Sequence, residues 1–592
     1  MSIMKDAING RADIRGDIFS RDGVDERSRL FHVNARKNKS ADGSVNTSAA
    51  ARFAVLIMMS ILLTLLTPKL YAGYNPMMRP DQRVNNFANR IYARCGILPE
   101  GFHHQPMATA GFLAYLDSLS SRPLTEQERY TLNGLHKQLS ADKGLYGFQG
   151  DDNQYGLIIN LDLTADGWAR SGGGLDTRLG GRGIITPQLR GYLGKISFYS
   201  SLDVWTEYAR DTLFPPTSYQ PYQGIPYELY GRDNKKNGGN VRSSDLPRAG
   251  ISYDAGRISL QAAIDYLRLG PAVHYPITLS GAAPPITYVR AVFDMTHVKY
   301  HHIAGSLRSQ SDKPKYIYAN GISGSLLNGR LQWGINEVMV SGSSTNQQDN
   351  DPANTVRPEF QNKELGWEPA FFIPFVPMVI AEHYVGDKNN AAIAFDFALN
   401  WPQDFRFYGE FFMDDMLAPW DILSDDWGNK WAVTLGAQYF TGLYGRDVSA
   451  GIEFSRVEPW VYTHFYGGSH RYDHFDKPLG AELGPNSMAI AAHCDAAVTK
   501  KITAGFKMTS ISTNQSARGG KITDVFQDPG RVETPDSETK TFLGPGTIHY
   551  LRPGIYGQYD PLGIFRVNAS IEIDAARDAG SVRLGIDGGF RF

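Results

Sequence analysis

The stretch SVRLGIDGGFRF, residues 581–592, alternates apolar and polar side chains. Val582, Leu584, Ile586, Phe590 and Phe592 share one face of an extended chain, and Arg583, Asp587 and Arg591 share the other. Just upstream, IFRVNASIEID (564–574) sets Phe565, Val567, Ala569, Ile571 and Ile573 against Arg566, Asn568, Ser570, Glu572 and Asp574. YGLIINLDL (155–163) does the same, with Tyr155, Leu157, Ile159 and Leu161 opposite Asn160 and Asp162. A period of two marks strands with two unlike faces. A soluble sandwich also alternates, so strand length and connection length must decide between architectures.

Candidate strands run from 154–163, 185–193 and 196–209 through 248–254 and 257–269 to 562–574 and 581–592. They number about 18 and most hold about 10–13 residues, the length of a tilted strand that crosses a bilayer. Connections alternate between short ones (Gly194-Lys195, Ala255-Gly256, Asn328-Gly329, Pro402-Gln403) and long ones (210–247, 342–388, 459–486, 514–545). An up-and-down membrane barrel has this alternation, because its turns are short on the periplasmic face and long outside. Lipid offers no partner for an unpaired backbone group, so such a sheet must close on itself. The expected fold is therefore all-β: an 18-stranded antiparallel transmembrane β-barrel at 151–592, preceded by a small N-terminal helical bundle. The last strand should close against the first near Tyr155.

Composition agrees. The 592-residue chain holds 61 Gly, 31 Tyr and 30 Phe, a bias that favours strands over helices. Its net charge of −2 argues against nucleic acid as a partner. Cys95 and Cys494 either pair in an oxidising compartment or stay as two buried thiols.

Near the N-terminus, ARFAVLIMMSILLTLLTPKLYAG has Arg52, an apolar run from Phe53 to Leu66 and a breaking Pro68. The run is shorter than the roughly 20 residues of a spanning helix, so 51–72 is expected to be a signal peptide. Residues 1–50 are polar and without period: a disordered lead or a misassigned start. Residues 73–150 carry helical spacing (Val84, Phe87, Ile91; Phe112, Tyr115, Leu116, Leu119; Leu132, Leu135, Leu139) and a capping box at Thr125–Glu128. They are expected to form a periplasmic bundle of about three helices.

Chemistry gathers at the expected outer ends of strands. RFYGEFFMDDM (406–416) brings Asp414 and Asp415 to a strand exit, where a carboxylate pair suits sugar hydroxyls or a cation. RVEPWVYTHFYGGSHRYDHF (456–475) packs Arg456, Trp460, Tyr462, His464, Arg471 and Tyr472 into one loop. Aromatic faces stack on sugar rings, and Arg, His and Asp bond hydroxyls or carboxylates. The alternative for this stretch is an aromatic girdle at the interface plus a loop packed on itself. His464, His470 and His474 have no specific zinc spacing. WEPAFFIPFVPMVI (367–380) is too apolar to lie in water; it folds inward over the lumen or contacts lipid or a partner, and its prolines argue against a regular helix. No GxSxG, HExxH or phosphate loop is present, and Ser469 beside His470 is only an adjacency, so no enzyme, cofactor or metal is expected.

The segments FANRIYARCGIL, WGINEVMVSG, YGEFFMDDM, RVEPWVYTH and PLGAELGPNS together resemble the Wzi family of outer-membrane capsule-assembly proteins. The resemblance spans about residues 80–592. It implies an 18-stranded barrel with an N-terminal helical bundle in the cell outer membrane. It also implies a lectin-like role in assembling or anchoring capsule or exopolysaccharide, with surface polysaccharide, outer-membrane lipid and the barrel-assembly machinery as partners. Phe592 is similar to the C-terminal aromatic that this machinery recognises. A diffusion porin or oligosaccharide channel is the competing reading.

Overall fold

Eighteen strands close into one antiparallel barrel in the computed structural model of the chain. The structure describes residues 77–591 except 79, 100, 141–144, 151–153, 173–174, 210–233, 237–238, 296–297, 309–313, 344–365, 386–388, 416–421, 465–466, 476, 527–534, 562–564 and 577–578. The expected lead, the signal peptide and Phe592 lie outside the described residues.

The strands are β1 (Tyr155–Gly172), β2 (Leu175–Leu193), β3 (Ile196–Ala209), β4 (Gly239–Asp254), β5 (Ile258–Asp265) and β6 (Ile286–Asp294). Next come β7 (Val298–Leu307), β8 (Lys315–Leu326), β9 (Leu331–Gly342), β10 (Asn390–Leu399), β11 (Phe405–Asp415) and β12 (Lys430–Leu443). The last are β13 (Arg446–Val457), β14 (Ser487–Thr499), β15 (Ile502–Thr513), β16 (Ile548–Tyr559), β17 (Phe565–Ala576) and β18 (Ala579–Arg591). Each pairs with its sequence neighbours, and β18 closes on β1.

The closure register differs from expectation. β18 pairs with Asp162–Gly172, from Arg591↔Asp162 to Ser581↔Gly172. The start of β1 is taken instead by Tyr146–Gln149, paired with Gly156–Ile159. β1, β2 and β4 also run farther than the alternation suggested. RSGGGLDTRLGGRG reads as a turn-rich loop, yet β1 and β2 stay paired through it with only 173–174 between them. Glycine and charge weaken a strand's own propensity, but a ladder is stabilised by its partner. Conversely, β5 stops at Asp265 rather than at 269.

Short turns gather at one end of the barrel. Asn328 and Gly329 both have positive φ (56° and 87°), as a tight hairpin turn demands. The long connections lie at the other end, although 173–174 and 577–578 there are short. By the usual polarity of such barrels, the short-turn end is periplasmic.

Side-chain parity follows the sequence pattern. Val582, Leu584, Ile586 and Phe590 are exposed on the outer wall, as are Ile571 and Ile573 of β17. Such a belt is stable only against lipid.

Three helices sit below the short turns: α1 (Gln82–Cys95), α2 (Thr109–Leu119) and α3 (Glu126–Leu139). Asp81 caps α1 by accepting from the Val84 N–H at 2.8 Å, and Gly96 ends it at φ 69°. The capping box read in TEQE forms at α3. Val84, Phe87, Ile91, Phe112, Leu116, Leu119, Leu132 and Leu135 make one apolar core. Glu128 is buried and takes both Arg90 and Arg94, while Arg90 also reaches Asp447 on β13 at 3.0 Å. Burial alone would raise the Glu128 pKa, but these guanidiniums and the Thr125 N–H outweigh it and hold the carboxylate ionised. Arg83 pairs with Asp560 at 2.9 Å, and the Tyr130 hydroxyl donates to the Pro561 carbonyl at 2.8 Å. The helices are thus bolted to several turns of the barrel floor. Cys95 and Cys494 are free thiols, and Cys494 is exposed rather than buried.

Candidate functional site

The lumen is filled along one arc of the wall. The connection between β5 and β6, residues 266–285, turns inward instead of standing outside. Inward carboxylates hold its backbone. Glu453 of β13 accepts the N–H groups of Val273 (2.7 Å), His274 (3.0 Å) and Tyr275 (2.6 Å), plus the Tyr408 hydroxyl (2.8 Å). Glu410 of β11 accepts those of Ala272 and Ile277, both at 2.8 Å. A carboxylate taking several backbone donors is a strong clamp, since each donor left unmade in this dry interior costs about 1–3 kcal/mol. At its lower end the inner loop pairs through Arg268–Leu269 with His104–Gln105 from the helical segment. Leu269, Ile277 and Leu279 join a core with Ile317, Val338, Ala392, Phe412 and Ile511 from the wall.

Sequence reasoning missed Glu410 and Glu453. Their signal was present: a lone carboxylate in mid-strand, on the inward parity, between Gly409 and Phe411 in one strand and Ile452 and Phe454 in the other.

Above the inner loop, three long connections knit into a lid. Between β11 and β12, Trp427 donates its N–H to Glu538 at 2.9 Å, and Asp425 accepts from Lys540 at 2.6 Å through their backbones. Between β13 and β14, Trp460 donates its N–H to Gly519 at 2.9 Å. Gly519 sits at φ +74° directly beneath the Trp460 indole, where a Cβ would fall 2.5 Å from a ring carbon. Asn486 and Asn514 join the second and third connections. Lys540 is buried between the Asn429 carbonyl and Glu458, and burial lowers its pKa against the pull of that glutamate.

The residues expected to meet sugar fall into three groups. Trp460, Tyr462 and Tyr472 are buried, and their rings serve as joints of the lid. The Tyr462 N–H donates to Asp414 at 2.7 Å, and its hydroxyl donates to the Ile277 carbonyl at 2.7 Å. The Tyr472 hydroxyl donates to Thr278 at 2.7 Å, so both tyrosines hang the lid on the inner loop. Asp414 and Arg471 are buried too, Arg471 pairing with Asp473 at 3.1 Å. These five present no open face, because closing the mouth covers them. Arg456 and Asp415 form the second group, on the outward side of the rim. Arg456 pairs with Glu458 and lies 3.9 Å from the Phe542 ring centroid and 5.2 Å from that of Trp431. Asp415 pairs with Lys430 at 3.3 Å. His464 stands alone in the third, stacked on His470 at 5.2 Å; burial, with His470 and Lys430 beside it, pushes its pKa well down.

His474 is not near that pair's chemistry. Its Nδ1 accepts from the Arg308 N–H at 2.9 Å, and Nε2 lies 3.3 Å from the Pro285 carbonyl. Burial lowers its pKa to about 3. Ser469 Oγ does contact His470 Nδ1, at 2.8 Å, although adjacent residues seldom form such a pair; both side chains are buried. Among the described residues no cluster of His, Cys, Asp and Glu is arranged to hold a metal ion.

What the lid offers to solvent is a different set. Arg518 is exposed and bidentate to Asp536 (2.7 and 2.6 Å). Trp427 is half-buried and stacks on Phe526 at 3.6 Å, and Phe542 is half-buried beside Arg456.

The opposite arc, β15–β18 with β1–β4, is lined by half-buried charged and polar residues. Lys507 pairs with Glu572, their side chains 43% and 22% exposed, so water reaches this face. Gln188 donates to Asp162 at 2.7 Å, Thr186 to Asp203 at 2.8 Å and Asn568 to Asp587 at 2.6 Å.

The structure is similar to that of Wzi, an outer-membrane protein involved in group 1 capsule assembly in Escherichia coli and a carbohydrate-binding β-barrel. The identity is 14%, the match covers 88% of this chain and 99% of that one, and the TM-score is 0.51. OpdK of Pseudomonas aeruginosa, solved with vanillate, matches at 9% identity over 73% of this chain and 99% of its own, with a TM-score of 0.38. A BenF-like porin of Pseudomonas fluorescens Pf-5 matches at 8% identity over 75% and 100%, with a TM-score of 0.39. No known family and no curated protein sequence matches the chain. The first likeness establishes a shared fold, and with the lipid-facing belt it places this chain in the outer membrane.

Proposed function

We propose that this chain is a surface polysaccharide-binding barrel of the Wzi kind, which helps assemble or anchor capsule or exopolysaccharide. The carrying observation is the inner loop clamped by Glu410 and Glu453 beneath a lid of three joined connections. A wall that spends two buried carboxylates on closing its own lumen is built to present a surface. The Wzi barrel, which shares this fold, binds carbohydrate. On the lid, the ring of Trp427 and the fork of Arg518 supply stacking and bidentate bonding to a glycan. Arg456, His464, Asp414 and Asp415 flank or support that surface, and Trp460, Tyr462, Arg471 and Tyr472 hold it in shape.

Purified protein should retain labelled surface polysaccharide of the source cell. Trp427→Ala and Arg518→Ala should each weaken retention while the barrel stays folded, as judged by heat-modifiable gel mobility. Undiminished retention by both variants, or none by the parent, defeats the assignment. The hydrated arc with Lys507 and Glu572 favours a second reading, a narrow channel. Steady, saccharide-blockable conductance in planar bilayers would support it; a silent barrel would remove it.

A further inference from the structure

Residues 366–385, between β9 and β10, lie on the outside of the barrel. On β7, β8 and β9, Ile303, Ile317, Ala319, Val338 and Val340 join the lumen core. By strand parity, Tyr300, His302, Tyr318, Asn320, Glu337 and Met339 therefore face outward. Most of these are polar, whereas the lipid side of a membrane barrel is apolar.

Residues 366–385 cover them. Phe371 and Met378 are fully buried against Tyr318, Met339 and Ala304. Phe375 stacks on Tyr300 at 4.2 Å and lies 5.1 Å from Phe293. Each outward polar group takes a backbone group of the segment. Tyr318 Oη accepts the Glu368 N–H (3.2 Å), Tyr300 Oη the Phe375 N–H (2.6 Å) and Glu337 the Met378 N–H (3.0 Å). Asn320 Nδ2 donates to the Val376 carbonyl at 2.8 Å, and its Oδ1 accepts from the Tyr300 hydroxyl at 2.8 Å.

The path runs down the wall and back. Ser341, at the outer end of β9, holds the Gly366 carbonyl at 2.6 Å. Phe375 reaches Tyr300, two residues past the start of β7 at the short-turn end. A short helix, α4 (Met378–Val385), follows, so the prolines exclude a regular helix only as far as Pro377, with a single 3-10 turn at Pro369–Phe372. Ile373, Ile380 and Tyr384 are exposed, as is much of the Phe372 and Phe375 rings that lean on the wall tyrosines, with His383 also exposed. This surface continues the belt of Ile322, Ile335, Phe395 and Phe397.

We propose that residues 367–385 form a strap immersed in the membrane, whose outer face meets lipid acyl chains. Irregular backbone survives at that depth only when its polar groups are satisfied. The wall's Tyr300, Tyr318, Asn320 and Glu337 satisfy the Glu368, Phe375 and Met378 N–H groups and the Val376 carbonyl. The strap in turn hides those groups from lipid. The continuity of its apolar face with the bare wall belt selects lipid over a protein partner. This rests on the barrel's place in the outer membrane and on no assignment of glycan binding or conduction.

The test places a bimane label on Ile373→Cys, and separately on Ile380→Cys, in a Cys95→Ser, Cys494→Ser background. The protein is reconstituted in phosphatidylcholine vesicles with brominated acyl chains. Phe395→Cys on the bare wall and Leu423→Cys in the exposed lid loop serve as references. Quenching by brominated lipid equal to the Phe395 label, with little quenching by aqueous iodide, is expected. Iodide quenching at the Leu423 level would put the strap in water and overturn the proposal. Quenching by neither agent would mean that a second copy of the chain covers it, and would overturn it equally.

Discussion

The two arcs of this barrel use the same alternation for opposite ends. Along β5–β14 the inward positions hold Ala, Val, Ile and Phe together with buried charged groups, Arg290, Asp396, Arg406, Glu410 and Glu453 among them. Several of these bond the inner loop or the helical segment, and the lumen is solid. Along β15–β18 and β1–β4 the inward positions hold Lys507, Glu572, Asp587, Asp162 and Gln188, and water lines the wall. Both arcs show an apolar face to lipid, over β7–β9 by way of the segment that covers Tyr300, Tyr318, Asn320 and Glu337. Outward pattern therefore reports the membrane, while only the inward pattern reports what the lumen contains.

The comparison can be broken at its strongest point first. Replacing residues 268–283 by a two-residue turn should convert the solid arc into a hydrated one, and single-channel conductance should rise steeply. Unchanged conductance would mean that some other element fills the lumen. Next in size, Glu453→Ala strips the acceptor from three backbone N–H groups and the Tyr408 hydroxyl. A loss of at least about 3 kcal/mol is expected, read as a lower temperature for the heat-induced gel shift. Glu453→Gln, which keeps one acceptor oxygen, should fall between the parent and Glu453→Ala.

A pH titration tests the lid above the solid arc. His474 is neutral in the fold, with a pKa of about 3 and the cations of Lys315 and Arg308 nearby. The unfolded chain binds the proton at its ordinary value near 6.5, so the fold binds fewer protons between the two. Its contribution is complete above pH 6.5 and is lost progressively as pH falls toward 3. Stability should drop between pH 6.5 and 4, and His474→Gln should flatten that slope. A parent whose stability is level over that range would contradict this. The smallest effect belongs to the hydrated arc. Lys507→Ala breaks a water-facing pair and should cost less than about 1 kcal/mol. It should nonetheless shift the ion selectivity of any residual conductance toward cations, because it leaves Glu572 and Asp587 in the lumen.

The sequence was legible where its signal is local. Alternation in 564–574 and 581–592, the TEQE box and the short turns are each readable within a dozen residues, and over the described residues each appears as read. Reading failed where partners are remote. The glycine-rich hairpin at 164–184 looks like a loop until β18 and β3 are placed beside it. For 456–475 the sequence left two readings, a sugar-binding surface and a loop packed on itself. Only the Ile277 and Thr278 carbonyls of the inner loop, which accept from Tyr462 and Tyr472, show these two tyrosines packed inside.

By itself, then, the sequence determined a closed transmembrane barrel, its strand count, its lipid-facing side and the helices before it. Period and strand length are properties of short segments, and lipid admits few architectures. Tertiary structure alone decided that one lumen arc is solid, that the expected sugar rings are buried joints and that an aromatic strap lies on the outer wall. Those outcomes depend on contacts such as Glu410 with Ala272, which lie 138 residues apart, and no local pattern encodes them.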